Sequence, residues 1–148
     1  MSGEAGGPHQ RVFLVVVDSS PEMKVALRFA CRRARATGGR LAMLYVTEPA
    51  SAEWLGVGEI MREERRAEAE TRLQELAVDV REGDPADELL RLLGEEPTIS
   101  VLVLGADPGP KGPGPLIAAL SGRLIGKLHV PMTIVPGSMT SAEIDAVT

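Results

Sequence analysis

The stretch from Val101 to Pro136 constrains this chain more than any other, because it reads strand, glycine-rich loop, helix, strand in one pass. Val101-Leu102-Val103-Leu104 is an unbroken apolar run, the pattern of a parallel strand buried on both faces. It breaks at Gly105, and residues 106–115 beyond it are nearly all turn formers. From Leu116 the apolar residues fall at helical spacing (Leu116, Leu120, Leu124 and Leu128, with Ile117 and Ile125 beside them), which predicts one helix over 116–128. Val130-Pro131 then leads into a last short strand, Met132 to Val135. In a doubly wound sheet the loop leaving the carboxyl end of a strand is where a ligand sits. A site is therefore expected here.

The rest of the chain repeats the same alternation. Val12 to Val17 is an apolar strand that ends in Asp18-Ser19-Ser20-Pro21, where Ser20 suits a helix cap and Pro21 the first helical position. The next helix carries Met23, Ala26, Leu27, Ala30 and Ala34 on one face, and Gly38-Gly39 stops it. Leu41 to Val46 forms the second strand, closed by Thr47-Glu48-Pro49. Residues 50–58 read as loop with Trp54 and Leu55 as apolar points. Glu59 to Ala77 reads as a long solvated helix, whose Arg62-Glu63-Glu64-Arg65-Arg66 cluster supports itself by i,i+4 pairs. Val78-Asp79-Val80 is a short third strand. Gly83-Asp84-Pro85 then turns into a helix with Ala86, Leu89, Leu90 and Leu93 on its apolar face. Residues 1–10 read as a disordered leader, 11–136 as one domain and 137–148 as a loose tail. Strand–helix alternation with short connections selects a single open parallel sheet with right-handed crossovers and helices on both faces.

Composition excludes several function classes. A net charge of −5 and a pI near 5.1 argue against a nucleic-acid or anionic-membrane surface. No apolar run approaches the roughly 20 residues that span a membrane, and the N-terminus lacks the charge and apolar core of a signal peptide. The single cysteine, Cys31, has no internal disulfide partner and reads as a small buried side chain. These features point to a cytoplasmic protein. His9 and His129 stand apart from any carboxylate or metal-ligand spacing, and no nucleophile–base set is present, so no enzyme activity is expected.

Taken in order, residues 11–136 resemble the universal stress proteins of the UspA type. The resemblance rests on the first strand ending in Asp18-Ser19-Ser20-Pro21, and on Leu44-Tyr45-Val46 followed by Thr47-Glu48-Pro49. It continues through Glu82-Gly83-Asp84-Pro85-Ala86-Asp87-Glu88-Leu89 and the run into Gly105, then the loop, helix and Val130-Pro131. It implies an open five-stranded parallel sheet of the adenine nucleotide alpha hydrolase-like, Rossmann-like kind. It also implies a non-catalytic stress-response module acting on an unidentified protein partner. The family commonly dimerises by pairing its last strand, here Met132, Thr133, Ile134 and Val135, across a two-fold axis.

Some family members bind ATP through Gly, two residues, Gly, nine residues, Gly, then Ser or Thr. Those four positions fall here on Gly105, Pro108, Ala118 and Ala119, so only the first is kept. A phosphate cradle needs free backbone N–H groups, and Pro108, Pro110, Pro113 and Pro115 each lack one. Standard ATP binding is therefore not expected. The resemblance still places Asp18 at an adenine contact, Val46 at an apolar contact to the base, and Leu104 and Gly105 in the same crevice. Gly109, Gly112 and Gly114 retain backbone donors and Lys111 a cation, so ATP or another adenine nucleotide held by an altered loop at 105–119 is the alternative; a shifted register would enlist Ser121-Gly122. Asp18 also has a purely structural reading, as the residue that ends a strand and caps the next turn. Gly122 and Gly126 lower helix propensity within 116–128, which suggests close packing there.

Overall fold

The computed structural model describes residues 10–18, 20–47 and 76–148. Its strands are β1 (Val12–Val17), β2 (Arg40–Thr47), β3 (Leu76–Glu82), β4 (Val101–Ala106) and β5 (Met132–Pro136). Its helices are α1 (Pro21–Thr37), α2 (Pro85–Glu95), α3 (Pro115–Ser121) and α4 (Ser141–Val147), with a 3₁₀ turn at Ile125–Lys127. All strand pairs are parallel, in the order β3-β2-β1-β4-β5. The central strand is β1, where Val15 pairs with Met43 on one side and Val103 on the other. Chain order reverses across β1 and β4, and that reversal opens a crevice beyond their carboxyl ends.

The alternation along β1 sorts the core into two layers. Phe13, Val15 and Val17 point to one face and pack with Met23, Ala26, Ala30 and Ala34 of α1 and Ile144 of α4. Val12 and Leu14 point to the other, with Ala86, Leu89 and Leu92 of α2 and Ile117 and Leu120 of α3. The buried face of α1 is the one the sequence predicts, and Gly38 ends that helix. With so few aromatics, aliphatic side chains fill both layers, and Tyr45 is the largest fully buried one.

Several expectations are corrected. The helix predicted over 116–128 stops at Ser121. Gly122 leaves helical geometry, and the chain re-forms only a 3₁₀ turn at Ile125–Lys127. A Cβ at Gly122 would lie 2.8 Å from the Ala118 carbonyl oxygen, so a side chain resists this turn. Gly122 therefore marks the helix break and Gly126 sits in the 3₁₀ turn beyond it, where a Cβ would meet nothing within 4 Å, so the pair does not mark close packing against the sheet. The 137–148 tail is not loose: α4 starts with a capping box in which the Thr140 hydroxyl accepts from the Glu143 N–H and Glu143 accepts from the Thr140 N–H. Ile144 is 1% exposed, and Arg28 grips Asp145 through both carboxylate oxygens.

Smaller differences concern element ends and faces. Strand β3 starts at Leu76, so Leu76 and Ala77 extend a strand and not the helix predicted to end at Ala77. On α2, Leu92 is buried while Leu90 and Leu93 are only partly so. Ser20 occupies the N-cap of α1 but its side chain makes no capping bond. The leader through His9, the loop with Trp54 and Leu55, and the helix with Arg62 to Arg66 lie outside the described residues.

Candidate functional site

Beyond the carboxyl ends of β1 and β4 lies a cleft of about 510 Å³, at the point where strand order reverses. Its apolar floor comes from the ends of buried strands: Val46 closes β2 at 9% exposed and Leu104 sits in β4 at 3%. Asp18 stands at the rim where β1 runs out, and Glu22 in the first turn of α1 lies beside it along the wall. Asp84, the N-cap of α2, and the start of α3 from Gly114 to Ile117 complete the enclosure, with Arg123 beyond α3.

Four of the residues expected from the sequence meet here: Asp18, Val46, Leu104 and Gly105. Asp18 adopts the capping geometry, since its Oδ1 accepts from the Ser20 N–H at 2.8 Å and from the Ser20 hydroxyl at 2.5 Å. It also lines the cleft, so capping and facing a ligand are compatible. Gly105 has a packing reason of its own: a Cβ there would strike the backbone of Glu22, 2.6 Å from its carbonyl carbon. The first turn of α1 can approach β4 only because position 105 lacks a side chain.

The other three expected residues, Gly109, Lys111 and Gly112, are not part of the cleft lining. The loop closes on itself instead. The Asp107 N–H donates to the Pro113 carbonyl at 3.2 Å, and the Gly109 N–H donates to Asp107 Oδ1 at 2.9 Å. The Gly112 N–H donates to the Gly109 carbonyl at 3.4 Å. Lys111 is exposed on this loop. Ala119 lines the cleft where a phosphate-binding hydroxyl would be needed, and Ala118 is exposed. Ser121 supplies no substitute, because its hydroxyl donates to the Ile117 carbonyl one turn back at 2.7 Å.

Sequence reasoning missed the charged lining residues Glu22, Asp84 and Arg123, and Arg123 is the cation among them. A continuous helix over 116–128 gives no reason to single it out. The break at Gly122 redirects the chain and brings Arg123 to the cleft, where it has no ion-pair partner among the described residues. The only available signal was a Gly-Arg pair near the end of a short apolar helix. Among the described residues, the charged lining is thus three carboxylates (Asp18, Glu22, Asp84) and one guanidinium. His129 and Cys31 lie elsewhere, and no group of three His, Cys, Asp or Glu among the described residues has metal-holding geometry. No helix among the described residues is long and apolar enough to cross a membrane.

An open parallel sheet with a crevice at its switch point, walled by a strand-end aspartate and a glycine-bearing β4, defines the doubly wound class of α/β proteins. Within that class the relatives are specific. The model of the Universal stress protein family matches residues 10–136, and the chain belongs to that family. Among solved structures it is similar to the universal stress protein UspA from Lactobacillus plantarum, with 19% identity and a TM-score of 0.72 over 87% of this chain and 99% of that one. A universal stress protein in complex with cAMP aligns at 19% identity and TM-score 0.62, covering 88% of this chain and 100% of that one. A family protein from Arabidopsis thaliana with AMP bound aligns at 15% identity and TM-score 0.60, covering 90% and 94%. No curated protein matches the chain. At these identities the structural likeness establishes the fold, and the family match establishes the membership.

Proposed function

We propose that this protein is a non-enzymatic, regulatory universal stress protein that does not hold ATP in the family's standard triphosphate pose. The observation that carries this reading is the self-bonded loop: Asp107, Gly109 and Gly112 use their N–H groups internally, and the prolines among them have none to give. With those donors taken and four prolines lacking an N–H, the loop is poorly equipped to replace the water that solvates a polyphosphate. The protein would act in the cytoplasm as a homodimer that engages a protein partner during stress, with β5 forming the dimer contact. Supporting that contact, β5 ends the sheet and Ile134 is 41% exposed on it.

A thermal-shift titration with ATP and Mg²⁺ tests the reading. No saturable rise in melting temperature is expected up to millimolar ATP. A ligand bound at a hundredfold excess over its Kd adds about 2.7 kcal/mol, and a saturable shift of that size with ATP would overturn the proposal.

A second reading is favoured by a separate observation: Asp18, Val46, Leu104 and Gly105 line a cleft of about 510 Å³, within the range of small-molecule pockets. Two structural neighbours hold AMP or cAMP. On this reading the protein keeps the nucleoside half of the site and has lost the polyphosphate half, so that an adenine ligand sets the dimer's choice of partner.

A further inference from the structure

The charge and donor pattern of the cleft goes further than its shape. Among the described residues, Asp18, Glu22 and Asp84 bring three carboxylates to its wall against one guanidinium, that of Arg123. A ligand carrying several negative charges enters against that field, and the loop's Asp107, Gly109 and Gly112 N–H groups are already taken up internally. Among the described lining residues, the cationic side chain open to an anionic group is Arg123, whose planar fork can donate to two oxygens of one phosphate. The lining at Asp18 differs in kind. Asp18 Oδ1 is taken up by Ser20, and Oδ2 accepts no hydrogen bond from a described residue, so it remains an acceptor for a ligand N–H. Val46 and Leu104 add buried apolar lining suited to a flat ring.

We propose that Arg123 is the specificity-determining residue of the cleft. Its ligand is then a nucleoside-sized molecule with a hydrogen-bond-donating ring near Asp18 and one anionic group on Arg123, and polyphosphates are excluded. This rests on the second reading above, that the cleft accepts an adenine ligand. It assigns anion binding to a residue outside the glycine loop, and it ties that residue to Gly122, whose turn sets where Arg123 emerges.

Isothermal titration of adenosine, cAMP, AMP, ADP and ATP against wild type and Arg123→Gln tests it. In wild type, cAMP should bind most tightly and affinity should fall from AMP through ADP to ATP. A hydrogen bond to a charged group corresponds to about tenfold or more in affinity, so Arg123→Gln should weaken cAMP by that factor and leave adenosine unchanged. Arg123→Lys should recover part of the loss. Arg123 is exposed, and an unchanged melting temperature would show that the variants fold. ATP binding as tightly as cAMP overturns the proposal, as does cAMP binding that Arg123→Gln leaves intact. If adenosine binds and cAMP gains nothing over it, Arg123 has no role although the adenine reading stands. If none of the five ligands binds, both fail together.

Discussion

Gly105 shows how one residue can hold a family position for a reason unrelated to a ligand. It is the only one of the four ATP-motif positions that this chain retains, and the close approach of Glu22 to β4 is enough to require glycine there. Adding one methyl group forces two backbone segments apart. Gly105→Ala is expected to lose about 1–3 kcal/mol of stability, read by urea unfolding without any ligand present. A fully stable variant would mean that the first turn of α1 moves freely away from β4. Asp18 carries the complementary lesson, since its Oδ1 fixes the β1–α1 turn while the residue still faces the cleft.

At the scale of elements, the C-terminal helix lies beyond the stretch that matches the family and is nevertheless built into the core. Two kinds of contact dock α4 on α1. Ile144 is 1% exposed among the side chains of the first core layer, whereas Arg28 and Asp145 pair with side chains 45% and 39% exposed. Burial should dominate. Truncation of a buried aliphatic side chain costs about 2–5 kcal/mol, and a solvent-exposed ion pair is worth less than about 1 kcal/mol. Ile144→Ala should therefore shift the urea midpoint several times more than Asp145→Asn; equal effects would mean that the ion pairs hold the helix.

At the scale of the molecule, the two edges of the sheet are unlike. On the β3 edge, Arg81 donates to Asp79 at 2.9 Å and to Glu95 at 2.6 Å, and it lies 3.8 Å from Glu88, which Arg91 also pairs. Hydrogen bonding to Asp79 first, and then to Glu95, raises the Arg81 guanidinium pKa above its ordinary value. A raised base stabilises the fold fully below its ordinary pKa and loses that only above it, so this contribution is constant through physiological pH. On the β5 edge Ile134 is exposed, and apolar edges pair with other strands. Ile134→Lys should convert a dimer to a monomer in sedimentation velocity. Val80→Lys, at a comparably exposed position on β3, should leave the dimer intact. A wild-type monomer, or a dimer indifferent to Ile134→Lys, would remove β5 from the interface.

The sequence alone determined the layered α/β sheet, because buried parallel strands show as unbroken apolar runs and α1 as a face at helical spacing, and both patterns are local. It also determined the loss of the ATP motif, since Pro108, Ala118 and Ala119 lack the needed groups whatever the fold does. Only tertiary structure decided where α3 ends, because Gly122 turns out of the helix in a packed context that periodicity does not see. It decided that the tail folds: the Thr140–Glu143 capping signal was legible, but its weight came from the pocket that receives Ile144. It decided too that Arg123, and not Lys111, stands with Asp18. Which side chains share a cleft depends on where distant strand ends and helix starts converge, and no local pattern encodes that convergence.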